Sequence, residues 1–342
     1  MKAPYLSIVV PVRNDNYGGD FIERLQNCIS WNSKWMEDQN LHAEIVLVYW
    51  NPLQNSKSLL EVIDWPKDLK YVHLRLVTVP YDVHQKYINP EIRDTVPLYE
   101  FIAKNTGIRR ANGDFILSIN ADVLIHPQIF KTIAEKKLQG DTYYRANRLD
   151  FKKTPNMMLS GFFQAGFTIS LKGFLYYFKN KLSVPFQYEL LKLLNPIRVK
   201  WELFKFNNLW FSKPLGLNIV YNNGAYMAHC LNAGDFLLMS RSQWHKMKGY
   251  PEYTLTSVHT DAIFTLLASH RFPETMFKEP VFHQVHEGRY SWQSMHGRGE
   301  FEKNYLLFEE VANVIKSGKS TDDYLNKDFW GLVDFELNEK LI

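Results

Sequence analysis

Hydrophobic runs and short polar turns alternate along the first 125 residues of the chain. Three of these runs, at Leu6–Val12, residues 44–49 and Val72–Val79, are rich in β-branched side chains and show no helical period, which predicts buried strands. Apolar residues at helical spacing, beginning at Phe21, separate the first two runs. Because strands that alternate with helices form βαβ crossovers, this pattern predicts an α/β fold with a mostly parallel sheet.

The segment from residue 98 to residue 125 carries the most informative pattern. Its apolar residues recur at helical spacing up to Ile108, and Gly113 is predicted to end that helix in the left-handed conformation. A buried strand at residues 115–117 then leads to Asp122. Open α/β sheets bind ligands beyond the carboxyl ends of their strands, so Asp122 is the first candidate for site chemistry.

Polar loops follow three of the predicted strands. Arg13 and Asp15 follow the first strand, Asn51 follows the second, and Asn120 and Asp122 follow the strand of the informative segment. Since the carboxyl ends of parallel strands meet at one edge of a sheet, these side chains are expected in a single site. The chain has no Gly-x-Gly-x-x-Gly and no Walker loop, which weighs against a dinucleotide oxidoreductase and a P-loop enzyme.

The second half of the chain adds further candidate residues. Asp235 precedes a short predicted strand, and Asp261 opens an apolar helix. His283 and His286 lie on a predicted strand at residues 280–286. Residues three apart point to opposite faces of a strand, so both histidines can bind one metal only if the strand ends between them. Each residue also has a structural alternative, which is a turn for Asp235, a helix cap for Asp261 and a hydrogen-bonded core histidine for either ring.

Composition narrows the class of protein. Hydrophobic residues make up 46% of the chain and charged residues 22%, as in a folded globular protein. Only two cysteines are present, Cys28 and Cys230, which argues against a disulfide framework or a cysteine metal site and fits a reducing compartment. The first residues lack the pattern of a signal peptide, and we expect no membrane span and a cytoplasmic location.

Charge is unevenly distributed along the chain, whose formal net charge is +4. Residues 150–215 hold ten Lys or Arg, three acidic residues and fifteen aromatic residues. One interpretation is a lid whose aromatic side chains pack inward. The other is an interfacial surface, at residues 158–211, that makes a peripheral membrane contact with a lipid-linked acceptor. No nucleic-acid partner is expected.

Five segments together resemble a known family. They are SIVVPVRND, EIVLVYWNP, AKNTGIRRANGDFILSINAD, NAGDFLLMSRSQWHKMKGYPEY and HTDAIFTLLASH. As a set they resemble the GT-A-fold glycosyltransferases of the family 2 type, and within them a subgroup with N-x-D where D-x-D is usual. The resemblance covers residues 5–150 and 225–290. It implies a Rossmann-type, mostly parallel sheet with flanking helices. The expected helical insertion, which is aromatic and basic, lies outside the resemblance.

The resemblance, together with the segments outside it, leads us to expect a division of the chain into four regions. Residues 1–150 would be the half that binds a nucleotide sugar, and residues 225–297 the half that faces the acceptor. Residues 151–224 would be the helical insertion or lid, and residues 298–342 a C-terminal helical tail. The implied reaction moves a sugar from a UDP- or GDP-linked donor to a glycan or lipid-linked acceptor, with inversion expected.

Roles follow from the resemblance position by position. The first-strand loop and the second-strand tip would hold the base and ribose, while Asn120 and Asp122 would hold Mn²⁺ or Mg²⁺ on the diphosphate. Asp261 would be the general base, with Asp235 competing for that role or for acceptor binding. A histidine after the last strand, His283 or His286, would complete the metal shell. The residues implied at the base and ribose are Val12, Arg13, Asp15, Tyr49, Trp50 and Asn51.

Three residues of the predicted helix before Asp122 complete the donor-side candidates. Lys104 and Arg109 are candidates for a phosphate contact, with a solvated helix face as the alternative. Asn105 interrupts an apolar stripe, and a buried amide needs partners, so it is expected to pin a loop or contact the nucleotide.

Asn120 is the departure from the family pattern that raises alternatives. It weakens the expectation of tight metal binding. One alternative interpretation is therefore a non-catalytic protein that binds nucleotide sugars or glycans. A nucleotidyltransferase on a similar sheet is the other alternative. That class would prefer a glycine-rich first loop with a lysine, and the segment from Val10 to Arg13 lacks one.

Overall fold

A computed structural model of the chain describes residues 3–87, 96–151, 219–222, 226–229, 233–254, 257–286 and 300–342. The strands are β1 Leu6–Val12, β2 Ala43–Trp50, β3 Val72–Val79, β4 Phe115–Ser118, β5 Val123–Ile125, β6 Tyr143–Arg145, β7 Arg148–Phe151, β8 Ile219–Asn222, β9 Tyr226–His229, β10 Leu237–Ser240, β11 Glu274–Met276, β12 Val281–Gln284 and β13 Asn338–Leu341. The helices are α1 Phe21–Asp38, α2 Leu59–Val62, α3 Tyr81–Tyr87, α4 Glu100–Arg110, α5 Pro127–Ala134, α6 Arg241–Met247, α7 Thr260–Ser269 and α8 Glu300–Lys316.

An eight-stranded sheet forms the centre of the fold, in the order β11-β6-β10-β4-β1-β2-β3-β13. Strands β3, β2, β1 and β4 run parallel, and Val12 lies beside Tyr49 so that the first two strands end together. Every residue of β1 and β2 is buried, as expected for parallel strands covered on both faces. The prediction of an α/β fold with a mostly parallel sheet and flanking helices is confirmed.

Alternate residues of β1 face two separate hydrophobic layers. Ile8 and Val10 pack in the layer that contains Leu25 of α1, whereas Val9 packs in the layer that contains Phe101 of α4. Helix α4 lies very close to the sheet, because a Cβ on Gly107 would come within 2.5 Å of Val9 Cγ1. This contact fixes the helix that leads to β4.

The prediction for Gly113 is wrong. Helix α4 ends at Arg110, its C-cap Ala111 is extended, and Gly113 is not among the glycines of positive φ. A Cβ at Gly113 would lie 2.6 Å from the backbone nitrogen of Ser7. The glycine is needed because α4's connection passes directly against β1, and not because the helix ends in the left-handed conformation.

A smaller sheet of order β5-β12-β7 brings the second half of the chain to the end of β4. The turn between β4 and β5 carries Asp122, and Val123 lies beside His283 of β12 in the antiparallel register. The backbone N–H of Gln284 donates to the carbonyl of Asp122 at 3.0 Å. The two sheets therefore fix Asp122 against the end of β12.

Residues from the second half also complete the main sheet. Strand β10 lies antiparallel between β4 and β6. The predicted helical tail at residues 298–342 contains α8, but it ends in β13, which pairs antiparallel with β3. That strand was not predicted, since all four of its residues are exposed and lack an apolar alternation.

Most of the predicted insertion, residues 151–224, lies outside the described residues, and this includes the predicted membrane contact at residues 158–211. Among the helices that the structure describes, none has the length and apolar character needed to cross a membrane.

Candidate active site

Asp122, His283 and His286 come together at the carboxyl edge of the parallel strands. Their ligand atoms all lie within 4.8 Å of one another. His286 Nε2 is 3.1 Å from Asp122 Oδ2, and His283 Nε2 is 3.7 Å from the same oxygen. Strand β12 ends at Gln284, between the two histidines, which is the condition under which both were expected to reach one metal. Within the described parts of the chain this is the one cluster of its kind.

A buried arginine completes the surroundings of Asp122. Arg24 of α1 donates from Nη1 to Asp122 Oδ2 at 3.0 Å, and both side chains are almost fully enclosed. Burial acts to raise the pKa of Asp122, but the hydrogen bond from His286 and the neighbouring positive charges hold that pKa below its ordinary value. Asp122 is therefore an anion at neutral pH.

Arg24 also holds the loop that follows β1. Its Nη2 donates to the carbonyl of Gly19 at 3.0 Å and to the carbonyl of Tyr17. The ring of Tyr17 in turn packs edge-on against His286, with centroids 5.1 Å apart. Arg24 was not predicted as a site residue from the sequence. A signal was present, because its position one turn before Cys28 places a charge beside the apolar face of α1.

The cluster fits a divalent cation. Asp122 Oδ1 is buried and accepts no hydrogen bond in the described part of the chain, although a buried carboxylate oxygen normally has a partner. A carboxylate with two imidazoles is a ligand set that leaves coordination positions open for a bound substrate. Carboxylate oxygen suits Mg²⁺ and Mn²⁺ alike, whereas two imidazole ligands favour a transition metal over Mg²⁺.

Asn120, two residues before Asp122, belongs to a neighbouring polar network. Its Nδ2 donates to Asp235 Oδ1 at 2.9 Å, and Arg148 Nη1 donates to Asp235 Oδ2 at 2.9 Å. The Asn120 Oδ1 atom is buried without a hydrogen-bond partner among the described residues. One loop thus presents two buried acceptor oxygens, one on Asn120 and one on Asp122, for a ligand to satisfy.

Asp261 lies in the first turn of α7. Its Oδ2 accepts from the backbone N–H of Gly234 at 2.8 Å, and its Oδ1 accepts from the N–H of Ala262 at 2.9 Å. The bond from Gly234 ties α7 to the short 3-10 helix Ala233–Asp235, so Asp261 has a structural role in addition to any chemical one. Burial is the main cause that raises the pKa of Asp261 to about 6, and the nearby carboxylate of Glu100 acts in the same direction.

The loops after β1 and β2 are joined by Arg13. Its Nε donates to the carbonyl of Asn51 at 2.9 Å, and its Nη1 pairs with Asp15 Oδ2 at 2.7 Å. Asn51 has a positive φ of 47° and donates from Nδ2 to the carbonyl of Pro97 at 3.2 Å. The structure thus brings these three predicted residues together at one edge.

The last residues of β1 and β2 have inward-facing side chains. Val12 and Tyr49 pack in the layer against α1. Trp50 is fully buried in the opposite layer, where its Nε1 donates to His84 Nδ1 at 3.0 Å. Any ligand contact at these positions therefore falls mainly to the polar residues that follow the strands.

The candidates on α4 serve contacts inside the protein. Lys104 is fully buried and donates from Nζ to Glu100 Oε1 at 2.7 Å and to the carbonyl of Gly234 at 2.8 Å. Asn105 exchanges hydrogen bonds with the backbone of Tyr250, in line with the expectation that it pins a loop. Arg109 lies one turn further along and stacks on Trp330, with its guanidinium carbon 4.8 Å from the ring centroid.

Comparison with known proteins gives structural likeness alone. No family model matches the chain, and no curated protein matches it. S. aureus TarS (residues 1–349) in complex with UDP-GlcNAc is 11% identical over 90% of this chain and 66% of that one, with a TM-score of 0.45. The mannosyltransferase PcManGT from Pyrobaculum calidifontis, in complex with GDP-Man and Mn²⁺, is 12% identical over 98% and 69%, with a TM-score of 0.44.

A third solved structure, GalNAc-T7 with UDP, GalNAc and Mn²⁺, is 10% identical over 90% of this chain and 48% of that one, with a TM-score of 0.45. The chain therefore spans about two thirds of the length of the TarS and PcManGT chains, and about half that of GalNAc-T7.

Proposed function

We propose that the chain is a metal-dependent glycosyltransferase that takes its sugar from a nucleotide sugar. The observation that carries this proposal is the unsatisfied, buried Oδ1 of Asp122 beside the imidazoles of His283 and His286. This cluster lies where open α/β sheets bind ligands, beyond the carboxyl ends of parallel strands. Of these three residues, Asp122 lies in a segment that resembles family 2 glycosyltransferases, whereas the two histidines lie outside the quoted segments.

Asp122, His283 and His286 would hold the divalent cation, and the two imidazoles favour Mn²⁺ over Mg²⁺. A cation bound there supplies positive charge that offsets the negative charge of the leaving diphosphate. Arg24 keeps Asp122 ionised and fixed, since it donates to Oδ2 and leaves Oδ1 for a ligand.

The donor nucleotide would lie against the loops after β1 and β2. Asp15, paired with Arg13, offers acceptor oxygens for the N–H groups of a base, and Arg13 holds the Asn51 backbone beside it. The free Oδ1 of Asn120 can accept a hydrogen bond from a hydroxyl of the ribose or the sugar. A UDP- or GDP-linked donor fits this proposal.

Asp261 would be the general base. A carboxylate with a pKa of about 6 is a stronger base than an ordinary aspartate and is still ionised at neutral pH. In a direct displacement the acceptor oxygen forms a bond to the anomeric carbon while the bond from that carbon to the diphosphate oxygen breaks. The hydroxyl proton passes to Asp261, and the configuration inverts. Asp235, held by Asn120 and Arg148, would position the acceptor.

The test is nucleoside diphosphate release from a panel of UDP- and GDP-sugars with Mn²⁺, measured with and without glycan acceptors. Release that Asp122→Ala abolishes and the surface variant Lys137→Ala retains would support the transferase. Consumption of a nucleoside triphosphate with pyrophosphate release would instead identify a nucleotidyltransferase. Donor binding without turnover would identify a binding protein.

We also propose that the acceptor is a glycan or is lipid-linked, and that residues 158–211 make a peripheral membrane contact. The ten basic residues and the aromatic side chains of residues 150–215 support them. Flotation with anionic liposomes tests the contact, and absence of binding would remove it.

A further inference from the structure

A cavity of about 530 Å³ opens on the side of the sheet away from Asp122. It lies where α4 ends and β4 begins, beside the start of α6. In the antiparallel register Phe115 lies opposite Ser240, so this cavity is at the amino end of β4. Asp122 follows the carboxyl end of the same strand, and the two places are therefore on opposite edges. The polar residues that line the cavity are Arg109, Arg110, Asn112, Arg241, Ser242 and His245.

Three arginines give this cavity its positive charge, and one of them is structural. Arg110 donates from Nη1 to the carbonyl of Gly331 and from Nη2 to the carbonyl of Leu332, both at 2.8 Å. Its guanidinium is used to hold the C-terminal segment against α4. It still contributes charge to the cavity, but few free donors.

Arg109 and Arg241 have free guanidinium groups. Among the residues that the structure describes, neither guanidinium has a hydrogen-bond acceptor or a carboxylate within ion-pair distance. Stacking on Trp330 orients Arg109, and a backbone hydrogen bond from Arg241 to the carbonyl of Asp114 at 2.8 Å fixes the start of α6. Arg109 is therefore oriented by its ring contact, and Arg241 by its backbone alone, and no ion pair among the described residues neutralises either cation.

The carboxylates near the cavity are paired with cations other than Arg109 and Arg241. Glu44 pairs with Arg75 at 2.7 Å, and Glu339 pairs with the same arginine at 2.7 Å and with Arg110 Nε at 3.4 Å. Asp328 pairs with Lys248 at 2.7 Å. The charge of Arg109 and Arg241 is therefore left for a ligand.

His245 also lines the cavity. Its ring lies edge-on to Trp330, with centroids 5.5 Å apart. Partial burial, together with the positive charges of Arg109 and Arg241, lowers the pKa of His245 and so favours the neutral ring. A neutral imidazole there can donate one hydrogen bond to an anion.

We propose that this cavity binds a phosphate or diphosphate group, and that it is a second anion site separate from the proposed donor site. Guanidinium groups match phosphate oxygens in two-point hydrogen bonds, and the hydroxyl of Ser242 adds a neutral donor. The amide of Asn112 is already used, since its Nδ2 donates to Glu44 Oε2 at 3.4 Å. The volume also admits a sugar or a second phosphate attached to that group. The site needs no metal and does not depend on the proposed transferase activity.

The test is calorimetric titration of the full chain with inorganic pyrophosphate in EDTA, which removes any metal-dependent binding at Asp122. We expect saturable binding whose affinity falls as the salt concentration rises. The affinity should be about tenfold lower in Arg241→Gln, and lower still in the double variant Arg109→Gln, Arg241→Gln. Asp122→Asn and the exposed Lys137→Gln should bind as the wild type does. Arg241→Gln should also leave nucleoside diphosphate release unchanged, so failure here is distinct from failure of the proposed function.

Titration with uridine diphosphate and with a sugar phosphate under the same conditions separates the sources of the phosphate. Equal affinities would show that the phosphate alone is recognised, and a tighter sugar phosphate would show that the attached group is bound as well. No binding at millimolar pyrophosphate would overturn the proposal. Binding that Asp122→Asn removes and Arg241→Gln retains would also overturn it.

Discussion

Asn120 Nδ2 donates a hydrogen bond to Asp235 Oδ1 at 2.9 Å, and this contact accounts for the N-x-D pattern of the chain. An aspartate at position 120 would place two carboxylates against each other at that distance, and like charges so close cannot both stay ionised. The amide donates to Asp235 and leaves its own Oδ1 for a ligand. The asparagine is thus matched to a partner 115 residues away.

Asn120→Asp should therefore destabilise the protein in a pH-dependent way. The new pair of carboxylates has a raised pKa in the folded state, so the loss of stability is small in acid and grows as pH rises through that pKa. We expect a loss of about 1–3 kcal/mol at neutral pH and above. Urea unfolding in EDTA, at about pH 5 and about pH 8, measures it.

Asn120→Ala is the control for that experiment. It removes the same hydrogen bond without adding a charge, so its loss of stability should be nearly equal at the two pH values. If Asn120→Asp and Asn120→Ala show the same pH dependence, the carboxylates do not meet as the structure implies.

Arg24→Gln should be strongly destabilising. It leaves Asp122 buried without its cation and frees the loop that Arg24 holds through two carbonyls, and breaking a buried ion pair in this way costs about 3–5 kcal/mol. Lys34→Gln is the matched control, since Lys34 lies on the same helix and its pair with Asp38 is exposed. That control should change the free energy of unfolding by about 0.5 kcal/mol or less. Similar losses in both variants would show that the Arg24 contact is unimportant.

Asp261→Asn should become more stable relative to the wild type as pH rises. The pKa of Asp261 is raised from 3.8 to about 6 on folding, so its contribution to stability is fully present below the unfolded value and is lost as pH rises through about 6. Asparagine does not ionise, so the variant does not lose this part of its unfolding free energy as pH rises. The measurement is the difference in unfolding free energy between variant and wild type across that range.

The same variant tests the role of Asp261 in the reaction. Asp261→Asn should lose glycosyl transfer and still bind Mn²⁺, because Asp261 is outside the metal cluster. Wild-type transfer rates should fall as pH drops below about 6, as the base becomes protonated. Full transfer activity in Asp261→Asn would assign the base elsewhere.

Gly107→Ala should destabilise the fold by about 1–3 kcal/mol, because its methyl group would come within 2.5 Å of Val9 Cγ1 and 2.8 Å of Val48 Cγ2. The gain in helix propensity, about 1 kcal/mol, is too small to offset the overpacking. Gly140→Ala is the control, since nothing lies within 4 Å of a Cβ there. A thermal unfolding midpoint for Gly107→Ala at or above that of Gly140→Ala would contradict the packing.

Much of the fold could be predicted from the sequence because buried parallel strands leave a strong local signal. The β-branched runs at β1, β2 and β3 marked the sheet, and Asp122 followed from its place after a strand. Strand β13 could not be found in this way, because it is an exposed strand whose pairing with β3 depends on contacts far along the chain.

The site was harder to predict from the sequence, since the residues that contact one another there are distant along the chain. Arg24 meets Asp122 from 98 residues away, and Lys104 meets the carbonyl of Gly234 from 130 residues away. Nothing local distinguishes a lysine that is buried in this way from one on a solvated helix face. Arg109 is similar: its position on α4 suggested the donor site, whereas the sheet register places it at the opposite edge.

In the proposed function, one divalent cation binds Asp122, His283 and His286 together with the diphosphate of the donor. Pulsed electron paramagnetic resonance of Mn²⁺ with the full chain and uridine or guanosine diphosphate tests it most directly. We expect ¹⁴N couplings from imidazole and ³¹P couplings from the nucleotide on the same ion, with the nitrogen couplings reduced in His286→Ala. Bound Mn²⁺ that shows no imidazole nitrogen, or nucleotide binding that leaves the ion free of phosphorus coupling, would contradict it.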